Sequence, residues 1–424
     1  MRKIIYFHIL AFTAFIFNAC SPEQADIFAS SSAERMNNAM IDNQTILTSA
    51  ENGWAMQYFP TDAKPGYTFL MKFGLNKFVT IAGKNEFTIK NELQKDSSLY
   101  QLIADNGPVL TFNSYNNILH TFSNPQNPNG YGLEGDYEFM ILKSSENELE
   151  LKGKKRGVKI IMTKIPVTLS WSQYFDELDA MNATVLGNHA APFTLTTPVA
   201  DYIYSNGATR IFSVLKAGAE INSSTTASFV ITRTGIRFSK MQEIDGKKFQ
   251  NMKLSEDKSA LVSVEDNTIK LLGPDSLAYY FWNDRNEWVV KPESLSAKLK
   301  ATYDILVQSA IDKYKVDKVV LSVKYYAARS SFVVVLNLTG GKNKYIGYND
   351  IGLSANAVNS IVSSEKGTGD RNGRTFYTNI VGLSQMIKWL CGSFTVSTNT
   401  AINPRDIKFI QQQDADVWFT LSRQ

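Results

Sequence analysis

Apolar side chains in this chain recur at every second position, in runs too short for helices, and that spacing admits few folds. Val319, Leu321, Val323 and Tyr325 alternate with polar residues, as do Tyr137, Phe139 and Ile141. Successive side chains of a strand point to opposite faces, so such runs read as strands with one buried face. Between Trp54 and about Lys164 they follow one another without an intervening helix. Gly66 to Phe73 and Phe78 to Ile81 flank the turn Gly74-Leu75-Asn76-Lys77, then come 87–90, 109–112, 118–122, 136–143, 149–152 and 158–163. A meander of about eight short strands curls into a barrel or a sandwich, and a lipocalin-like barrel is the expectation for this N-terminal unit.

Helices interrupt the β texture at few places. Ser31 with Glu34, and Ser170 with Gln173, have the spacing of capping boxes. They predict helices over about 32–48 and over Trp171 to Asn182, the second carrying Trp171, Phe175 and Leu178 on one face. Past it the strands resume at 210–215, 227–233, 236–238, 260–264 and 268–272. A helix follows Pro292, strands lie at 319–325 and 332–338, a short helix at 384–391, and strands at 394–397, 407–410 and 417–421 close the chain. The expected organisation is a signal peptide over 1–19, a tether and helix over 20–50 and an antiparallel β domain over 51–168. A linker helix over 169–184 and a β-rich region over 185–424, either continuous or divided near 290, complete it. Whether the two β-rich halves are a duplication stays open, because no repeat aligns.

The first twenty residues give an address. Arg2 and Lys3 precede the apolar run Ile4 to Phe17, and Phe17-Asn18-Ala19-Cys20 follows. A basic start, a short apolar core and a small residue before the cleavage point mark a secretory signal. The run covers only about 21 Å as a helix, short of the roughly 30 Å hydrocarbon core. Cysteine at the cleavage point resembles a bacterial lipobox, although Phe17 stands where Leu is commonest, so Cys20 is the expected lipidation site. Glu23 and Asp26 loosely resemble the export signal that sends lipoproteins to the outer face of the outer membrane. The alternative is a plain polar tether, which leaves surface and periplasmic faces open.

Composition narrows the function classes. With 44% hydrophobic and 12% aromatic residues the chain has enough apolar material for real cores. The net charge of +4 falls to +2 once Arg2 and Lys3 are removed, too little to argue for nucleic acid. The densest basic run, Lys152, Lys154, Lys155, Arg156 and Lys159, sits where a hairpin tip is expected. Only Cys20 and Cys391 are cysteines. With Cys20 acylated, Cys391 has no partner, and stability rests on core burial.

No motif of metal, nucleotide or acyl-transfer chemistry is present: there is no His-Glu-x-x-His, no Gly-x-Ser-x-Gly, no phosphate loop and no Cys-x-x-Cys. No cofactor or metal is expected. After the signal, His120 and His189 are the histidines, and His120 reads as a satisfied residue of a strand. Glu134, Asp136 and Glu138 alternate and would share one strand face, solvent-facing because Tyr137, Phe139 and Ile141 define the buried one. Two carboxylates placed by a fold suffice for glycoside hydrolysis, which keeps a carboxylate-based hydrolase open. Asp370, Asn372 and Gly373 weakly suggest a Ca²⁺ loop that no later Glu completes. The cluster around Tyr280, Trp282 and Trp288 is the candidate ligand platform, since rings on a rigid β scaffold stack on sugars.

Several segments resemble one family together. They are Ser32-Ala-Glu-Arg-Met36, Glu51-Asn-Gly-Trp-Ala-Met-Gln-Tyr-Phe-Pro60, Phe69-Leu-Met-Lys-Phe73, Gly135-Asp-Tyr-Glu-Phe-Met-Ile-Leu142, Thr234-Gly-Ile-Arg-Phe238 and Asp414-Ala-Asp-Val-Trp-Phe-Thr-Leu421. With them the chain resembles an uncharacterised family of Bacteroidetes lipoproteins of about this length, catalogued as a domain of unknown function. The resemblance implies an accessory surface lipoprotein, sometimes encoded near starch-utilisation-type import systems. The favoured expectation is a non-enzymatic binding or accessory component of an outer-membrane uptake system, held by its lipid and meeting a glycan or peptide. A hydrolase, or a structural subunit of a transporter complex, is the alternative.

Overall fold

The structure, a computed structural model, describes residues 30–125, 132–186, 192–274, 277–282, 287–357, 359–399 and 402–424. Cys20 and His189 lie outside the described residues. The fold is mainly β, and its strands form three antiparallel systems in succession along the chain. The first comprises β1 Trp54–Tyr58, β2 Tyr67–Phe73, β3 Phe78–Gly83, β4 Gln94–Leu99, β5 Gln101–Ala104, β6 Pro108–Thr111, β7 Glu138–Ser144, β8 Glu148–Gly153 and β9 Lys159–Lys164. They pair in the order β4-β3-β2-β1-β9-β8-β7-β6-β5. The two edge strands are consecutive and separated only by Tyr100, so the sheet is nearly closed on itself. We call it barrel 1. Barrel 2 runs from β10 (Phe193–Thr196) to β17 (Lys270–Leu272), and barrel 3 from β18 (Glu287–Leu295) to β25 (Trp418–Arg423). Both are closed.

Alternation decides what fills them. In β1, Trp54, Met56 and Tyr58 point into barrel 1 with Phe69, Met71, Phe139 and Leu151. Phe122 meets Tyr58 at 5.5 Å and Phe69 at 5.3 Å between ring centroids, edge to face. A barrel of this strand number has an interior about wide enough for side chains, and these rings make it a packed core. The Trp54 indole N–H donates to the Leu47 carbonyl at 2.9 Å. That bond fastens helix α1 (Ser32–Ser49) to the barrel and satisfies a buried donor.

Outside barrel 1, Ala55, Leu70 and Ala82 are register neighbours across three strands. They belong to the apolar cluster of barrel 2, together with Tyr174, Phe175 and Leu178 of helix α2 (Trp171–Val185). Small residues on that outer face admit the helix, which therefore buries one side against each barrel. Its N-terminus is a full capping box, Ser170 with Gln173. Barrel 3 meets barrel 2 through Ile402, which joins the barrel 2 cluster and whose N–H donates to the Lys258 carbonyl at 3.2 Å, while the Asn403 side chain donates to the Ala183 carbonyl of α2 at 2.9 Å and its N–H to the Tyr280 hydroxyl at 3.0 Å.

Several expectations need correction. Residues 118–122 are not a strand: Asn116 Oδ1 accepts from Ile118 N and Leu119 N, and the turn runs into a 3-10 helix, His120–Phe122. Residues 89–91 are likewise a 3-10 turn. β4 has no apolar run to reveal it, because Lys95, Ser97 and Leu99 face solvent and Ser98 points inward, and β5 is only four residues long. The helix after Pro292 is α3 (Ala297–Tyr314), whereas the long pair Asn343–Ala357 and Ser360–Gly369 and helix α4 (Arg371–Asn379) lie outside the expected elements.

Because α2 fills the space between two sheets, truncating its central ring leaves a void that neither side can close. Phe175→Ala is expected to lower unfolding stability by about 3–5 kcal/mol in urea titrations. A loss below about 1 kcal/mol would show that the helix is peripheral.

Candidate functional site

Three connections of barrel 1 converge beside β7. Glu134, Asp136, Tyr137 and Glu138, with Ser123, Lys154 and Lys155, line an open cavity of about 370 Å³. The three carboxylates do share a site, although not as a strand face: β7 begins only at Glu138, and Glu134 is left-handed at φ 61°. Asp136 is 6% exposed instead of solvent-facing. Its oxygens accept from the backbone N–H of Lys155 at 3.2 Å and of Arg156 at 2.8 Å. Asp136 thereby pins the β8–β9 hairpin tip, so the basic run folds back over the acids. Burial raises its carboxyl above the usual range, and the two N–H groups oppose the shift.

Two glycines make this approach feasible. A Cβ on Gly153 would stand 2.2 Å from Asp136 Oδ2, and one on Gly135 would stand 2.0 Å from the Tyr58 hydroxyl. The remaining charges pair around the rim. Arg156 Nη2 lies 2.9 Å from Glu134, and Lys154 Nζ lies 2.9 Å from Asp105 and 3.6 Å from Glu138. Among the described residues no group of His, Cys, Asp and Glu could hold a metal ion.

Tyr137, which lines the cavity, is one end of a ladder of rings. His120 lies between Tyr115 and Tyr137, each centroid 5.1 Å away, at 32° and 28°. The tyrosines are 59% and 41% exposed. Tyr137 therefore is not on the buried face of its strand. His120 Nδ1 accepts from Asn116 N at 3.1 Å, and the ring also bonds the Phe112 backbone. Both nitrogens are engaged by backbone groups, and burial lowers the imidazole pKa while those two bonds oppose the shift.

The expected aromatic platform is taken apart by the fold. Leu277–Phe281 is a 3-10 turn, which sends successive rings in different directions. Trp288 is buried in barrel 3 against Phe281 at 4.7 Å, and Tyr280 is buried under Asn403. Trp282 alone of the three is open, at 54%, with its neighbour Tyr279 also exposed. Cys391 is half-buried, its thiol pushed up to about 12 by burial and by Glu365. Asp370 caps α4, accepting from Gly373 N at 2.6 Å and Tyr348 N at 3.0 Å, while the Asn372 side chain donates to the Ile346 carbonyl. Sequence reasoning missed Tyr115. An aromatic alone in a polar Asn-Ser-Tyr-Asn-Asn loop was the available signal, since nothing local would bury it.

A family model described as a domain of unknown function, DUF4302, matches residues 24–256. That is more than half of the 424 residues, and the chain belongs to this family. It includes the whole of barrel 1 and this cavity. No curated protein matches the chain. Among solved structures, the β subunit from DNA polymerase of Streptococcus pyogenes is similar at 8% identity and a TM-score of 0.14, over 91% of this chain and 97% of that one. The DNA polymerase III β subunit of Thermotoga maritima is similar at 8% identity and 0.12, with the same coverage. Scores this low carry no argument.

The neutral His120 makes the ladder acid-sensitive. Its folded pKa is below the ordinary 6.5, so the unfolded chain binds a proton that the folded one resists. The stabilising contribution is present above pH 6.5 and declines as pH falls from there toward the folded pKa. His120→Phe is expected to flatten the stability profile below pH 6.5. An identical slope in wild type and variant would refute this.

Proposed function

We propose that this family member is a lipid-anchored, non-enzymatic binding protein of the outer membrane, serving nutrient uptake, and that its barrel 1 cavity takes a saccharide. The supporting observation is the pairing of two exposed tyrosine rings, Tyr115 and Tyr137, with a cavity of about 370 Å³ rimmed by carboxylates and ammonium groups. Sugars offer apolar C–H faces to rings and hydroxyls to charged acceptors and donors, and the volume is within the usual ligand-site range of roughly 300–1,000 Å³. The cavity sits on a barrel whose own interior is full, so the scaffold is rigid where the ligand would rest.

Anchoring through Cys20 supports the location, because diacylation would hold the chain on the membrane by about 0.8 kcal/mol per buried CH₂. The raised Asp136 carboxyl favours a hydrolase as the second reading. Against it, both Asp136 oxygens already accept backbone N–H groups of the hairpin, from Lys155 and Arg156. A structural role in a transporter complex is the third, and co-purification from membranes addresses it.

Calorimetry against a panel of oligosaccharides tests the site. Tyr115→Ala and Tyr137→Ala are each expected to weaken the best ligand about fivefold to tenfold, the size of a lost ring contact. Unchanged affinity in both would remove the ladder from the site, and turnover abolished by Asp136→Asn would establish the hydrolase. Cys20→Ala is expected to abolish palmitate labelling; labelling that persists would refute the anchor.

A further inference from the structure

A second cavity, of about 470 Å³, opens at the junction of barrels 1 and 2. Its floor is apolar: Phe175 and Leu178 of α2, with Val230 and Ile231 of the strand Thr225–Thr232, are all buried. Its walls carry two cations and two anions. Arg210 Nη2 meets Glu86 at 2.9 Å and 3.2 Å, and its guanidinium lies 4.4 Å above the Tyr67 ring. The Tyr67 hydroxyl donates to the same Glu86 at 2.9 Å. Across the cavity Lys84 pairs with Asp179.

In each pair the cation is the more buried partner and the acid the more exposed one. Arg210 is held there by a left-handed backbone, φ 60°, at the end of the 3-10 turn Gly207–Thr209. A partly exposed ion pair is worth only about 0–1 kcal/mol, so either acid can yield its cation to a ligand carboxylate at small cost. An acid released in that way needs a new cation. A simple anion would leave one carboxylate unpaired at the mouth, and a simple cation would leave a guanidinium or ammonium unpaired. A molecule with both charges satisfies all four groups. The apolar floor then receives whatever lies between or beside the charges. A sugar fits poorly, because Arg210 covers the Tyr67 ring and Phe175 is part of the floor, leaving no ring face free.

We propose that the junction cavity binds a zwitterion with an apolar side chain, an amino acid or a short peptide, its carboxylate on Arg210 and Lys84 and its ammonium on Glu86 and Asp179. The site is separate from the barrel 1 cavity. All its lining residues, 65 to 231, lie within the family-matched span.

Titration calorimetry of the purified chain with leucyl-leucine, its N-acetyl form and its C-terminal amide tests this. The free dipeptide is expected to bind, and each cap to weaken it at least about tenfold, because each removes one charge-assisted contact. Ala208→Trp, at an exposed rim position, is expected to block the cavity, and Arg210→Gln to weaken binding of the free dipeptide about as the C-terminal amide does. Tyr137→Ala is expected to leave dipeptide binding unchanged. Capped and free dipeptides of equal affinity, no binding at millimolar concentration, or full binding in Ala208→Trp would each overturn the proposal.

Discussion

Burial of helix α2 between two barrels is the contact on which the rest of the arrangement depends. An amphipathic helix of fifteen residues has too little apolar surface to be stable alone, and isolated helices of that length are marginal in water. It forms because Ala55, Leu70 and Ala82 on one side and the barrel 2 core on the other both lie within reach. The same contact sets the spacing of barrels 1 and 2 and leaves the junction cavity as the volume the helix does not fill. Next to it, Arg237 is buried with its guanidinium over the Phe59 ring at 5.4 Å and one bond to the Lys159 carbonyl at 3.0 Å. Desolvation lowers its pKa to about 10. A charge so placed tolerates little displacement of one barrel against the other, since separation or slippage would break its single strong contact.

The two surface cavities differ in how they treat charge. Beside β7 the acids are fixed by the hairpin backbone and by a folded-back lysine, and the ladder of rings supplies the free surface. At the junction the rings are covered and the ion pairs supply it. The chain thus has two clefts of different charge character, one beside β7 and one at the junction of barrels 1 and 2.

Alternation made the β class and most strands legible, because it reflects a single buried face and needs no distant information. Val319 to Tyr325 and Tyr137 to Ile141 are local patterns of that kind, although Tyr137 shows their limit: it lies one residue before its strand begins. Strands such as Gln94–Leu99 were invisible, since their inward positions are Ser98 and the small or polar residues around it. The closure of barrels 2 and 3 was not readable either. It depends on pairings such as Thr194 with Leu272, far apart in sequence. The candidate sites were half legible. Glu134, Asp136 and Glu138 stood out by spacing and do meet at one cavity, for a different geometric reason. Arg210 and Glu86 lie 124 residues apart, and no local pattern connects them. The Tyr280 to Trp288 cluster misled because ring density measures apolar content, and a 3-10 turn puts most of that content inside.

Closure of the sheets has a colloidal consequence. Strand edges are where chains of the same kind zip together, and among the described residues the hydrogen-bonded ladders run round barrels 2 and 3 without a break. Only barrel 1 retains a seam, between Gln94–Leu99 and Gln101–Ala104. There the Tyr100 hydroxyl, donating to the Gly74 carbonyl and accepting from the Gln44 side chain, lies under helix α1. At high concentration such molecules would find almost no free backbone to pair with among the described residues, and the seam of barrel 1 is covered by helix α1.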